Sequence, residues 1–326
     1  MSFKFVSNLS EKEYTDFLKK QQSISYKKET SWSNYNNQEE VLYVGVTSRK
    51  KVLVAVKIEI VKKKNDIYYY IPGGPTIDYN DKELLIFLIE NIKFLAKVNN
   101  AYCIKMDEIS EIENAVLKSI GFKFDGKTNY YSITSLTNNG KLLTQKFFEK
   151  TLDLPDIKRS GIFFETITAK KQCKELDATL SNWFYKCNYD FEQLLSIYKK
   201  KVMIITEKID LVFYLNTLRD TCAKDSDIIM AEELIKECGD ELILGFAILL
   251  LPANKDNIFC IEMKDNGAFP KLNITNQLLF EIIKTGLSKK YNNIICSSSI
   301  KNYNIIEFNY NLVINNWKYL KHKIVK

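Results

Sequence analysis

The order of strand-like and helix-like patterns recurs within this chain, and that recurrence limits the folds open to it. In the first half, strand-like runs at 41–47, 52–61 and 67–71 lead into an amphipathic helix at 81–97 and then a strand at 102–106. In the second half, runs at 202–206, 241–251 and 257–263 lead into a helix at 275–290 and a strand at 293–296. Around these cores the spacing predicts helices at 11–21 (N-capped by Ser10) and 112–120, and a strand pair at 121–133. It also predicts a strand at 162–168 and helices at 171–184 and 190–199. Helical patterns at 209–221 and 227–238 form a hairpin inserted before the second β-hairpin. The expectation is two related mixed α/β units joined near Asn138-Asn139-Gly140, with domains at 1–140 and 141–326. A length of 326 residues suits two domains.

Composition narrows the chemistry. The only histidine is His322, which excludes a Ser–His–Asp triad, a Cys–His pair in the body of the fold and a His-rich metal site. No metal ligand set or cofactor is expected. The seven cysteines form no C-x-x-C and most sit in apolar runs, so they read as buried, reduced thiols. The longest apolar stretch, 242–252, is far short of the ~20 residues that span a bilayer. A cytoplasmic protein able to touch a membrane surface is expected. Basic residues outnumber acidic ones 47 to 40, a charge of +7. That excess is compatible with an anionic partner and equally with a lysine-rich surface.

The most distinctive segment is Tyr70-Ile71-Pro72-Gly73-Gly74-Pro75-Thr76-Ile77-Asp78-Tyr79. Two glycines after a strand can present backbone N–H groups to an anion and admit a ligand closely, or can simply end the strand. On the first alternative, Gly74→Val blocks ligand approach and leaves the fold intact. Asp107 either holds an incoming amine or N-caps the following helix. Trp32 either stacks on a planar ligand or packs. The acidic 209–238 hairpin reads as a packing arm more readily than as an RNA contact.

This segment resembles the Tyr-x-Pro-x-Gly-Pro-x-x-Asp-Tyr signature of the FemABX peptidyltransferases, here Tyr70, Pro72, Gly74, Pro75, Asp78 and Tyr79. Phe17 and the 23–32 stretch ending in Trp32 are similar to the family's entry, and Ile104–Asp107 to its strand ending in aspartate. Gly121-Phe122, Asp240–Phe246, Gln277-x-x-x-Phe280-Glu281-x-Ile283 and Tyr291-Asn292 continue the likeness. The resemblance implies two GNAT-like domains, the second with a helical arm. It implies transfer of an amino acid from aminoacyl-tRNA to the stem peptide of a UDP-linked or lipid-linked muropeptide precursor, bound in a cleft. It implies catalytic roles for Asp107 and Asn309, and precursor binding by Trp32, Asn34, Gly73, Gly74 and Lys186.

Three positions depart from the family pattern. Asn34 stands where a lysine two residues after the entry tryptophan contacts precursor phosphates, although Lys27 and Lys28 lie nearby. Lys186 is the basic residue available in 183–191. Asn309, in Glu307-Phe308-Asn309, stands where the family has a lysine for the developing negative charge, with Lys264 and Lys301 as alternative cations. The expected function is aminoacyl transfer in peptidoglycan bridge formation; the alternative is a catalytically degenerate relative that binds a precursor or a partner. A CoA-dependent acetyltransferase is disfavoured, because no glycine loop opening a helix is present to hold a pyrophosphate.

Overall fold

A computed structural model describes residues 2–21, 25–63, 66–110, 114–152, 154, 161–183, 185–267, 269, 272–297 and 309–321. Close contacts divide the chain into two units, residues 1–131 with 311–326, and residues 132–310. The expected boundary at 140 therefore differs in two respects: the division falls inside a strand, and the C-terminal stretch belongs with the first unit.

The first unit begins with β1 (Lys4–Val6) and α1 (Glu11–Leu18), whose Ser10 and Glu13 cap each other reciprocally. A short helix, α2 (Thr30–Tyr35), precedes the antiparallel β2 (Val41–Ser48), β3 (Lys51–Lys63) and β4 (Asp66–Ile71). Helix α3 (Lys82–Val98), capped by Asp81, then carries the chain back to β5 (Cys103–Ser110), parallel to β4. A crossover of this kind is what joins parallel neighbours. After α4 (Asn114–Ser119), β6 (Lys123–Ser135) is one long strand rather than the expected pair. Two minor strands, β7 (Thr137–Asn138) and β8 (Lys141–Leu142), follow it. The inner face of α3, through Leu84, Leu85, Leu88, Ile89 and Ile92, packs on Val44, Val56, Ile58 and Tyr69.

The second unit contains α5 (Gln145–Thr151), β9 (Ile162–Ile167), α6 (Lys170–Asn182) and α7 (Phe191–Tyr198). Strand β10 (Val202–Asp210) runs to Asp210, so α8 (Leu211–Asp220) starts two residues later than expected. With α9 (Asp225–Cys238) it makes the expected helical hairpin; Asp210 caps α8 by accepting from the Phe213 N–H at 2.8 Å. Strands β11 (Glu241–Leu250) and β12 (Asn257–Asp265) complete an antiparallel set with β9 and β10. Helix α10 (Ile274–Lys289) then leads to β13 (Asn293–Ser297), parallel to β12. The same sequence of events, antiparallel strands, helix and parallel strand, thus occurs in both units.

The last strand, β14 (Asn309–Leu320), pairs antiparallel with β5, from Ile314 opposite Ser110 to Leu320 opposite Cys103. This pairing draws 311–326 into the first unit and accounts for the second of the two differences from the expected domain limits.

The core of the second unit encloses an acid. Glu207 on β10 is fully buried, opposite Phe164 on β9 and Gly245 on β11. Neither of its carboxyl oxygens has a hydrogen-bond partner among the described residues. Burial, with Asp265 and Glu281 adding to it, pushes its pKa up to about 9. Cys103, Cys173, Cys260 and Cys296 are buried free thiols as expected, whereas Cys222 and Cys238, on the hairpin, are exposed.

Candidate active site

Parallel pairing of β4 and β5 sets Tyr70 opposite Lys105 and Ile71 opposite Met106. The next residue of β5, Asp107, therefore lies level with the turn that leaves β4. Its carboxylate gathers three donors. The Tyr70 hydroxyl donates to Oδ2 at 2.6 Å, the Lys27 ammonium donates to Oδ2 at 2.8 Å, and the Gly73 N–H donates to Oδ1 at 2.7 Å. The Lys27 and Asp107 side chains are only 15% and 14% exposed, so this pair is largely shielded from solvent. A carboxylate offers about four acceptor positions, which leaves room for one further donor.

The turn depends on its glycines. Gly73 and Gly74 have φ of +69° and +64°, in the left-handed region, and both are buried. A Cβ on Gly73 would stand 2.9 Å from Cε of Lys28 and 3.0 Å from Cβ of Ser25. Gly73→Ala is expected to cost about 1–2 kcal/mol, from the left-handed backbone and the displaced lysine. Urea denaturation of the two proteins measures it, and an unchanged midpoint would contradict the account.

Three sequence expectations change here. The Gly73 N–H is taken by Asp107 and the Gly74 N–H bonds the Ile71 carbonyl at 3.2 Å, so neither is left to cradle an anion. A β-branched valine at Gly74 strains a buried left-handed turn and does not leave the fold untouched. Asp107 does not cap α4, which begins at Asn114; its acceptors serve Tyr70, Gly73 and Lys27 instead.

Lys27 is held in place from below. Lys57 on β3 is 1% exposed and donates to the Lys27 carbonyl at 2.7 Å, the Glu29 carbonyl at 3.0 Å and Ser33 Oγ at 2.7 Å. Its ammonium also pairs with Glu59 at 3.3 Å, and Ser33 donates to Glu59 at 2.7 Å. Burial pulls the Lys57 pKa down to about 8, opposed by Glu59. Beside it, the Tyr14 hydroxyl donates to the Lys28 carbonyl at 2.8 Å, and the Lys28 ammonium donates to Thr76 Oγ1 at 2.8 Å. A buried ion pair thus fixes the 25–33 segment, and that segment delivers one lysine to Asp107 and another to the signature turn.

The other expected residues lie as follows. Trp32, on α2, is half-buried against the rings of Tyr26 (centroids 5.1 Å apart) and Tyr35 (5.9 Å apart). Asn34 is exposed on the same helix. Lys186 is exposed between α6 and α7 in the second unit, next to Tyr185, whose hydroxyl donates to the buried Glu262 at 2.7 Å. Lys264 sits 5.5 Å from the centre of the Tyr185 ring. Asn309 is the first residue of β14; Lys301 lies outside the described residues. Among the described residues, no group of three or more His, Cys, Asp or Glu side chains is placed to hold a metal, and no helix is long and apolar enough to cross a membrane.

Sequence reasoning missed Lys57 and Glu59. One signal was available: both fall on one face within the stretch 52–61, whose other residues are all valine, leucine, isoleucine or alanine, where an opposite-charge pair two residues apart indicates buried, paired charges.

The fold and site can now be set beside known proteins. The chain superposes on the crystal structure of FemX with a TM-score of 0.69 at 14% identity, covering 98% of both chains. It superposes on a tandem GNAT protein from the clavulanic acid biosynthesis pathway with a TM-score of 0.55 at 8% identity, again covering 98% of each. The class is therefore a mixed α/β protein of two GNAT-like domains, with a helical hairpin in the second. Within that class the sequence of residues 9–146, which contains the Asp107 site, matches the FemAB family. A stretch of 62 residues is 39% identical to the lipid II:glycine glycyltransferase of Staphylococcus aureus, covering 18% of this chain and 15% of that relative's length.

Proposed function

We propose that this chain is an aminoacyltransferase that moves an amino acid from aminoacyl-tRNA to an amine on the stem peptide of a peptidoglycan precursor. The observation that carries the reading is the convergence of Lys27, Tyr70 and the Gly73 N–H on Asp107, inside the region of FemAB sequence. In the proposed reaction the acceptor amine attacks the ester carbonyl of the charged tRNA. A C–N bond forms, the C–O bond to the ribose breaks, and the amine proton leaves to the departing ribose oxygen. Aminolysis of an activated ester needs chiefly orientation and a donor for the oxyanion, which suits a chain whose only histidine is His322. The fourth acceptor position of Asp107 takes an N–H of the attacking amine, while Lys27 and Tyr70 hold the carboxylate still. Trp32, Asn34, Gly73, Gly74 and Lys186 contribute to precursor binding in this proposal, and Asn309 donates to the oxyanion. Both substrates are polyanions, in keeping with the basic excess.

The substitution of asparagine for lysine at 309 favours a second reading, a degenerate relative that binds precursor without transfer. A neutral donor is roughly half as strong as a charged one. The test measures initial rates with charged tRNAs and purified UDP-linked and lipid-linked precursors. Wild-type protein is expected to transfer slowly, Asn309→Lys faster and Asn309→Ala slower. Asp107→Asn is expected to lose at least about tenfold in rate, since it removes one acceptor from a site with three donors. Binding of precursor without transfer by any variant would establish the second reading, and equal rates for the three proteins with Asn, Lys or Ala at 309 would remove that residue from the site.

A further inference from the structure

Helix α3 is apolar on two sides. Its inner side is buried in the core of the first unit. On its outer side Ile86, Phe94 and Val98 stand 43%, 68% and 60% exposed. Phe94 and Val98, four residues apart, lie on one flank, and Ile86 stands about a quarter-turn round from Phe94 on the same outer side. Beside them is a cavity of about 360 Å³ between α3 and the end of β14, walled by Phe94 and Tyr319 and rimmed by Lys93, Lys97 and Lys321. Lys93 is already committed. Its ammonium donates to the Ile120 carbonyl at 2.6 Å, pairs with Glu90 at 2.8 Å and lies 4.5 Å from the centre of the Tyr319 ring. Glu90 is thereby neutralised, while Glu83, two turns earlier on the same side and exposed, is next to Lys82 in the chain and leaves the lysines in excess around the apolar residues. Lys97 and Lys321 make no ion pair or side-chain hydrogen bond among the described residues, and Lys82 is exposed at the other end of the helix.

We propose that this face docks on the anionic surface of a lipid bilayer. Phe94 and Val98 enter the zone between headgroups and acyl chains, and Lys82, Lys97 and Lys321 meet lipid phosphates. Two chemistries must be met at once. A soluble phosphate compound would use the lysines and leave Phe94 and Val98 in water. A neutral apolar partner would cover Phe94 and Val98 and strand the lysines. A layer of phosphates over hydrocarbon takes both, and a helix with an exposed apolar flank edged by lysines is the form of an interfacial helix. The basic excess of the whole chain adds long-range attraction. The inference does not require the transferase reading, because none of these residues is in the Asp107 site.

The experiment is co-sedimentation of the full chain with vesicles of phosphatidylcholine alone and of phosphatidylcholine mixed with phosphatidylglycerol. Binding to the mixed vesicles only is expected, weakening as salt rises. Lys97→Glu/Lys321→Glu and Phe94→Ser/Val98→Ser should each lower vesicle affinity by at least about tenfold. All four positions are solvent-accessible, and thermal unfolding midpoints equal to wild type confirm that the variants fold. Absence of binding by the wild type, equal binding to neutral vesicles, or binding unaffected by both double variants would overturn the proposal. Calorimetry with glycerol phosphate supplies a further arm: saturation of the wild type by this soluble anion, lost in the lysine variant and without vesicle binding, would replace the bilayer with a small-anion site.

Discussion

Lys57→Met is expected to destabilise the first unit by about 3–5 kcal/mol, because it removes one member of a buried ion pair and leaves the other charged. Glu59, 2% exposed, would keep only the Ser33 hydroxyl as a hydrogen-bond donor among the described residues. The carbonyls of Lys27 and Glu29 would lose the donor that draws them onto β3. The 25–33 segment is expected to loosen in consequence, and the Lys27–Asp107 pair with it. A second measurement separates the charge from the packing. The pKa of Lys57 falls to about 8 in the folded state, below its ordinary value of 10.5. Between those values the unfolded chain holds more protons than the folded one, so this residue makes stability rise with pH across that window. From pH 7 to 9.5 its contribution is about 2 kcal/mol, and the methionine variant should lack it. Urea unfolding of both proteins at the two pH values reads the effect. A variant as stable as wild type at pH 7, or a pH dependence identical in both, would refute this account of the network.

Glu207→Gln is expected to act in the opposite direction and stabilise the second unit. The folded-state pKa of Glu207, about 9, lies above the ordinary 4.5, so its stabilising effect is full below pH 4.5. It is lost as pH rises through the window to about 9, because the unfolded chain releases the proton first. At pH 7 the carboxyl must take up a proton to be buried, which costs about 3 kcal/mol. Glutamine keeps the shape and carries no charge in either state. The variant should gain about that amount at pH 7 and show a flatter stability profile between pH 5 and 9. Calorimetric unfolding across that range is the measurement. A variant less stable than wild type at pH 7 would mean that the carboxylate is ionised and paired in the folded protein.

Much of the fold was legible because its central elements obey strong periodicities. Strands β2 to β5 and helix α3 carry apolar residues at the spacing that packing requires; β2, β3, β4 and α3 lie within two residues of their expected spans, and β5 runs four residues past its expected end. Helix α2 gave no such signal: six residues, Thr-Ser-Trp-Ser-Asn-Tyr, with no side-chain cap. What orders it is Ser33, held by Lys57 and Glu59 from a different strand. The last strand, Asn-Tyr-Asn-Leu-Val-Ile-Asn-Asn-Trp-Lys-Tyr-Leu, is rich in asparagine, which strands disfavour, and its pairing with β5 is remote in sequence. The candidate site divides in the same way. Tyr70, Gly73 and Asp107 could be found from the strand-and-turn signature, but Lys27 reaches Asp107 across 80 residues, and local pattern carries no information on such a contact.

The pairing of β14 with β5 also bears on the order in which the chain can fold during synthesis. The segment 311–326, which belongs with the first unit, leaves the ribosome after all of 132–310 has been made. Almost the whole of the second unit is therefore synthesised while the first still lacks a strand, the reverse of the usual rule that earlier-translated domains finish first. Until β14 arrives, β5 lacks the antiparallel partner that covers it from Cys103 to Ser110. A nascent chain stalled shortly before residue 309 would carry β5, paired with β4 on one side only, with the open edge of the very element that holds Asp107 as a surface for chaperones to engage.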